Sequence, residues 1–120
     1  MDAAFKDEEK LYRALKPKNC FWKSDGSLTS AAFKDSKGLS TDRDGGRDNK
    51  VCLEVLNQRF PEQDIVSVQA KSCKEVNACI KYLPEEDNDY HTEIHRSDTE
   101  ITLSPGQAKH LARCAKIECK

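Results

Sequence analysis

The residues best suited to chemistry in this chain lie in one short run, His91-Thr92-Glu93-Ile94-His95. Side chains alternate between the two faces of a β-strand, so His91, Glu93 and His95 would share one face. Imidazole and carboxylate groups are suitable zinc ligands, and these three residues are therefore candidate metal ligands. The run does not match the H-E-x-x-H pattern of helical zinc sites, because Glu93 lies two residues after His91.

The alternative for this run is an ordinary half-buried strand without a metal. Its other face would bury Tyr90, Thr92 and Ile94, and its histidines would face solvent, which is the usual arrangement in antiparallel sheets. This alternative is the commoner outcome for alternating sequences. We therefore predict no metal and no cofactor for this protein, with the three residues kept as candidates only.

A second set of polar residues stands out as possible catalytic groups. Arg13 lies in an apolar segment, Ser30 and Ser40 lie in short apolar contexts, and His91 begins a predicted strand. We treat these four as candidate catalytic residues of a small enzyme. The alternative is structural: Arg13 would extend its charge to solvent, and the serines would cap or end elements. Convergence in one pocket would favour the enzyme, and scatter over opposite faces would exclude it.

The cysteines are predicted to be free thiols without metal. Six are present: Cys20, Cys52, Cys73, Cys79, Cys114 and Cys119. None of their spacings gives the C-x2-C pair of zinc fingers and ribbons. Cys52, Cys73 and Cys79 fall at apolar positions of helical patterns, where a thiol replaces a small aliphatic group. Cys119, close to the end of the sequence, is expected to be exposed.

Composition and charge indicate a small folded domain and argue against nucleic acid and membranes as partners. Its 120 residues are 37% hydrophobic and 34% charged, with a net charge of −1, which suits a single domain. Residues 1–60 hold 12 basic and 10 acidic side chains, and residues 61–120 hold 8 and 11. This balance argues against nucleic acid as a partner.

No apolar run approaches the ~20 residues of a membrane span, and the acidic start does not resemble a signal peptide. We expect a cytoplasmic monomer that contacts no membrane.

The elements that must position these residues are clearest in the second half. Apolar spacing predicts a helix over 51–60, a strand over 64–70 and a helix from 72 that breaks towards a strand near Cys79. Strands are expected at 90–95 and 100–103. Ser104-Pro105-Gly106-Gln107 is a helix start with a capping box, and the terminal helix is expected to run to Cys119.

The first half is more polar, and its elements are less defined. Residues 11–15 suit a strand or a helix, and we favour a strand because Pro17 follows closely. Short elements are expected at 28–33 and 39–41 between turns rich in Asp, Ser and Gly. Residues 1–9 are expected to fray, and 42–50 to form a mobile loop. The whole chain, 1–120, is predicted to be one α+β domain: a mixed or antiparallel sheet, about three helices and a C-terminal helix.

Several short motifs carry a resemblance to known proteins. Leu11-Tyr12-Arg13, Asp25-Gly26-Ser27, Ser30-Ala31-Ala32-Phe33, Gly38-Leu39-Ser40 and the later His91 together resemble a family of short uncharacterised bacterial proteins. That family has no established activity, so the resemblance implies no catalytic role. The pattern is also similar to ADP-ribosyl-transfer folds, in which an early-strand arginine and a later serine line a nicotinamide pocket. This second similarity is a fold-level analogy.

Two functional hypotheses follow from these observations. The first is a non-enzymatic module that binds a protein partner through the polar segment 24–50, because no motif assembles a recognisable acid, base, nucleophile or metal cage. G-x-S-x-G, P-loop and G-x-G-x-x-G motifs are all absent. The alternative is the nucleotide-acting enzyme that uses the four candidate residues.

Overall fold

A computed structural model describes residues 1–119 as a single α+β domain. Six antiparallel strands form one sheet in the order β4-β5-β2-β1-β3-β6. The strands are β1 Lys10–Leu15, β2 Leu39–Arg43, β3 Asp64–Gln69, β4 Cys79–Tyr82, β5 His91–His95 and β6 Lys116–Cys119. The helices are α1 Asn49–Arg59, α2 Ala70–Glu75 and α3 Pro105–Cys114, with short 3-10 segments at Asn19–Phe21 and Ser30–Phe33. The predicted fold class is confirmed.

The ambiguous segment 11–15 forms a central strand of the sheet. β1 lies between β2 and β3 and pairs with β3 at six consecutive positions, from Lys10↔Gln69 to Leu15↔Asp64. Leu11 and Leu15 are buried on one face, while Tyr12 is buried on the other. A strand buries apolar groups on both faces in this way, which a short helix ending at Pro17 could not do.

Helices cover the two faces of the sheet unequally. α2, α3 and the Ser30–Phe33 segment pack on one face, where Phe33, Ile94 and Leu111 belong to the larger core. α1 covers part of the other face through Cys52 and Leu56. β2 and β5 extend this second face beyond α1, and the polar side chains described below lie there.

The end of the chain differs from the prediction of a long terminal helix. α3 begins as expected: the Ser104 hydroxyl accepts from the Gln107 amide at 3.1 Å, and the Gln107 side chain accepts from the Ser104 amide at 2.9 Å. The helix ends at Cys114, and residues 116–119 form β6 beside β3. The extended conformation of Ala115 turns the chain, and pairing with the open edge of β3 then satisfies backbone groups.

Two other segments depart from expectation for local reasons. Residues 100–103 do not form a strand; the Arg96 amide donates to the Ile101 carbonyl across a turn. The predicted break near Cys79 is confirmed, because α2 ends at Glu75 and β4 begins at Cys79. Asn77 has a φ of +57°, a left-handed conformation that commonly ends helices.

The polar first half is more ordered in structure than its composition suggested. Leu28, Phe33 and Leu39 are buried, so segment 24–50 contributes to the hydrophobic core as well as forming turns. Within 42–50, the first two residues belong to β2 and the last two to α1, which leaves a connection over 44–48. Hydrogen bonds tie this connection and the N-terminal segment to Arg43 and Glu9. The mobility of 42–50 and the fraying of 1–9 stay predictions.

None of the helices over residues 1–119 is long and apolar enough to cross a membrane.

The positions of the cysteines give a testable order of reactivity. Cys20 and Cys114 are exposed, while Cys52 and Cys73 are buried. Cys119 is half-buried against Ile65 rather than exposed as expected, because β6 pairs with β3. Burial raises the pKa of the Cys73 thiol to about 12, and the reactive species is the thiolate.

We expect iodoacetamide to alkylate Cys20 and Cys114 in native protein at least about 100-fold faster than Cys73. Peptide mass spectrometry over a time course, in buffer with a reductant and a metal chelator, measures each rate. Denatured protein serves as the control, in which the described cysteines should react alike. Equal rates at Cys73 and Cys20 in the native protein would contradict the burial of Cys73.

Candidate functional site

A polar pocket opens where β1 and β2 separate. These two strands pair at Leu11↔Arg43 and Tyr12↔Asp42 only, whereas β1 stays paired with β3 along its whole length. The gap beyond Tyr12 leads into a cavity of about 660 Å³ between the sheet and the end of α1. This volume lies within the range of small-molecule binding sites.

Strand register places the polar groups of β2 and β5 on one wall of this pocket. Ser40 lies opposite Glu93, and Asp42 lies opposite His91. Directly opposed residues in an antiparallel pair project from the same face. This face is also the one on which Tyr12 packs under α1, since Tyr12 lies opposite Asp42.

Arg13 enters the same pocket from β1. Its Nε donates to the Ala32 carbonyl at 2.8 Å, and its Nη1 donates to the Ser40 carbonyl at 3.1 Å. The Ser40 carbonyl lies on the part of β2 that β1 does not reach, so the side chain takes the place of a strand partner. Arg13 is half-buried rather than extended into solvent as the structural alternative expected.

The charge of Arg13 lacks a close counter-charge. The ion pairs formed within residues 1–119 do not include Arg13, whose two hydrogen bonds go to neutral carbonyls. Burial lowers the pKa of this guanidinium, and the more distant Asp35 opposes the shift. A half-buried cation that faces a cavity is well placed to receive an anionic ligand.

The His91-Glu93-His95 run forms a hydrogen-bonded cluster on β5. Nε2 of His91 lies 3.1 Å from Glu93 Oε2, and Nε2 of His95 lies 2.8 Å from Glu93 Oε1. Burial by itself would raise the pKa of Glu93, but the hydrogen bonds from His95 and His91 outweigh it and hold this pKa below its ordinary value. Nδ1 of His91 lies 3.6 Å from Glu85 Oε1, and both residues line the pocket.

This arrangement favours a carboxylate held between two imidazoles over a metal site. Nε2 of each histidine lies within hydrogen-bond distance of its own oxygen of Glu93. Within residues 1–119, the ligand atoms close enough to share one ion belong to a different group, described below. His91 is buried, so the histidine face is not simply solvated either.

Gly38 makes room for the cluster. Its φ is +110°, and a Cβ at this position would lie 2.9 Å from Glu93 Cδ and 3.4 Å from His95 Nε2. Contacts under about 3 Å require atoms to move, and an L-residue is strained at this φ. The glycine of the Gly38-Leu39-Ser40 motif therefore permits Glu93 to lie against the β2 backbone.

The structure brings together three of the four candidate catalytic residues. Arg13, Ser40 and His91 all line the pocket, whereas Ser30 does not. Ser30 begins the 3-10 segment whose Ala32 carbonyl receives Arg13, so its place is beside the site and not in it. Ser40 contributes its backbone carbonyl to Arg13, and its exposed hydroxyl faces the opening.

Several residues of the pocket carried no signal in the sequence. Asp42 accepts from Asn88 Nδ2 at 2.9 Å and from Arg59 Nη1 at 3.0 Å, which joins α1 to the β5 side. Lysine and aromatic side chains also line the opening: Lys16, Lys18, Lys34, Phe21 and Phe60. They come from separate parts of the chain, so no spacing rule could have grouped them.

Comparison with known proteins gives no relative on which to base a function: no family model, no curated protein and no solved structure matches the chain.

Proposed function

We propose that the pocket binds a phosphorylated small molecule of the nucleotide class. The observation that supports this proposal is half-buried Arg13, a residue of the pocket lining that forms no close ion pair among residues 1–119, while the more distant Asp35 is the acidic group that acts on its charge. Arginine binds phosphate oxygens with paired hydrogen bonds and full charge. A bound phosphate group would supply the counter-charge that the fold itself does not place beside Arg13.

The surroundings of Arg13 suit the rest of such a ligand. Lys16, Lys18 and Lys34 are exposed at the opening, where their ammonium groups can neutralise further phosphates. Phe21 and Phe60 are half-buried aromatic residues of the lining, which gives a base apolar groups to pack against. A cavity of about 660 Å³ has room for a nucleotide.

The pocket also holds a group that can move a proton. Nε2 of His91 contacts Glu93, and its Nδ1 lies 3.6 Å from Glu85 Oε1 in the same pocket lining. A histidine held by a carboxylate is a common acid–base arrangement. His91 is therefore the candidate acid–base group if the bound nucleotide is a substrate, and Ser40, whose carbonyl accepts from Arg13, adds a hydroxyl to the lining.

Calorimetric titration with ADP and with NAD⁺ tests the proposal, with adenosine as the ligand that lacks phosphate. We expect one of the two phosphorylated ligands to bind and adenosine to bind at least about tenfold more weakly, since phosphate contacts carry the recognition. Arg13→Lys keeps the charge but loses the planar fork, and Lys34→Gln removes a charge at the opening. Each should weaken binding, the first by about tenfold or more.

Arg113→Gln is the matched control, because Arg113 is an exposed arginine on α3 and does not line this pocket. It should bind like the unmodified protein. Thermal unfolding of each variant establishes that loss of binding is not loss of fold. The proposal is wrong if neither phosphorylated ligand binds at millimolar concentration, or if Arg13→Lys and Lys34→Gln both bind as tightly as Arg113→Gln.

The protein-interaction hypothesis stays a prediction beside this proposal. Much of segment 24–50 is committed to the core, so its free surface is concentrated in the turns around Asp25 and Lys37. A failure of both ligands to bind would favour that hypothesis. The same turns would then be the first positions to substitute.

A further inference from the structure

A second group of side chains, remote in sequence from the pocket residues, brings three different ligand types together. Glu75 is the last residue of α2, and His110 and Cys114 lie one turn apart on α3. His110 Nε2 lies 3.1 Å from Glu75 Oε1 and 3.6 Å from Cys114 Sγ. The three ligand atoms all lie within 4.8 Å of one another.

The geometry argues against a catalytic triad made of these residues. In a triad, the acid and the nucleophile contact opposite nitrogens of the imidazole, so that one orients the ring and the other exchanges a proton. Here Glu75 and Cys114 both approach Nε2. Three potential ligands that converge on one point describe a site for an ion rather than a relay.

Two of the three separations between the ligand atoms are close to those around tetrahedral zinc. With Zn–S near 2.3 Å and Zn–N and Zn–O near 2.0–2.1 Å, a tetrahedral ion separates S from N by about 3.6 Å and N from O by about 3.3 Å. The observed distances are 3.6 Å and 3.1 Å. An ion can therefore enter with small side-chain movements, and those movements are available because Glu75 and Cys114 are exposed.

We propose that Glu75, His110 and Cys114 form a zinc site that links α2 to α3, with water in the fourth position. Thiolate and imidazole ligands select zinc over calcium or magnesium, which prefer oxygen ligands. This inference departs from the expectation of metal-free thiols, which rested on C-x2-C spacing. The His110-x3-Cys114 spacing places both ligands on one helix face, and the fold supplies the third.

Zinc binding at this site has three measurable consequences. The ligands must be a thiolate, a neutral imidazole and a carboxylate, so zinc affinity falls as the pH is lowered. An ion that binds the folded protein also raises its thermal stability by mass action. The bond to sulfur additionally slows alkylation of Cys114 while leaving exposed Cys20 reactive.

Titration of reduced protein with Co²⁺, followed by displacement with Zn²⁺, tests the proposal. We expect one equivalent to produce a thiolate-to-cobalt charge-transfer band in the near ultraviolet, which Zn²⁺ then removes. Cys114→Ser and His110→Ala should lose the band and weaken zinc binding by at least about tenfold, and Glu75→Gln should weaken it by less. Cys20→Ser is the matched control at a remote, exposed thiol, and it should behave like the unmodified protein.

Circular dichroism and thermal unfolding of each variant accompany the titration. The metal-free variants should unfold near the temperature of the unmodified protein, because the substituted side chains are exposed or half-buried. Zinc should raise that temperature in the unmodified protein and in Cys20→Ser, less in Glu75→Gln, and not in Cys114→Ser or His110→Ala. The proposal is overturned if the unmodified protein gives no thiolate band at one equivalent, or if Cys114→Ser or His110→Ala keeps the band.

Discussion

Replacing Arg43 with Met is expected to destabilise the fold by about 3–5 kcal/mol, since it removes one partner of a buried ion pair. Both side chains are almost fully buried, with 3% of Arg43 and 9% of Glu9 exposed. Nε and Nη2 of Arg43 each lie 2.8 Å from a different oxygen of Glu9. The substitution leaves the Glu9 carboxylate buried without its counter-charge.

Arg43 also fastens the N-terminal segment to the sheet. Its guanidinium donates to the carbonyls of Asp2 and Ala4. Its Cζ lies 4.0 Å from the ring centre of Phe5 and 4.9 Å from that of Tyr82. Loss of this side chain should therefore expose residues 2–9 to exchange and proteolysis as well as lower the free energy of unfolding.

Urea denaturation at pH 7 measures the loss, with Arg113→Met as the control at an exposed arginine, expected to change stability by under about 0.5 kcal/mol. The double variant Arg43→Met with Glu9→Leu should recover part of the loss, because no charge is then left buried. A loss under about 1 kcal/mol for Arg43→Met would contradict a buried, paired role for this residue.

The same pair predicts how stability depends on pH. Burial by itself would raise the pKa of Glu9, but the Arg43 and Gly45 hydrogen bonds and the Arg43 charge hold it below its ordinary value of 4.5. A carboxyl group with a lowered folded pKa stabilises the fold above its unfolded pKa, and that contribution disappears as pH falls through the folded value. The unmodified protein should therefore lose stability below about pH 4.5, and Glu9→Gln should lose less over the same range.

Gly38→Ala is expected to cost about 2–5 kcal/mol through backbone strain and overlap with Glu93. The φ of +110° disfavours alanine whatever its surroundings, and the new Cβ would lie 2.9 Å from Glu93 Cδ. The carboxylate would have to leave its position between His91 and His95. The substitution should therefore disturb the pocket wall as well as the stability.

Gly26→Ala is the matched control, since Gly26 also has a positive φ, +87°, but a Cβ there meets nothing within 4 Å. Gly26→Ala should lower the stability by about 1–2 kcal/mol through backbone strain alone, without any overlap. Combining Gly38→Ala with Glu93→Ala should restore the stability that the overlap with Glu93 removes. A double-mutant cycle measured by urea denaturation separates this contribution from the backbone strain. Equal losses for Gly38→Ala and Gly26→Ala would show that Glu93 does not restrict the position.

Part of the candidate site could be predicted from the sequence, because some of its residues are related by a short, regular spacing. His91, Glu93 and His95 share a face as alternation requires, and Glu93 contacts both imidazoles. The convergence of His91 with Arg13, Ser30 and Ser40 was a separate hypothesis, and all of these except Ser30 line the pocket. This convergence depends on where β1 and β2 stop pairing, and no local rule contains that information.

Charge and glycine content along the chain do not show burial that depends on distant partners. They lead to the prediction of a mobile loop over 42–50, whose first two residues belong instead to β2, while its mobility stays a prediction. The structure buries Arg43, since Glu9 and the carbonyls of residues 2–4 satisfy its donors. The local sequence shows which residues are charged but not which distant groups neutralise those charges.

The sequence by itself determined the α+β class, the capped start of α3, the break after α2 and the alternation of β5, because each depends on neighbours a few residues apart. Only the tertiary structure decided that residues 116–119 form a strand, because that strand exists by pairing with β3. It likewise decided which cysteines are buried and that Glu75 meets His110 and Cys114. Such contacts join residues far apart in the chain, and their energy is realised only when the whole sheet and its helices pack together.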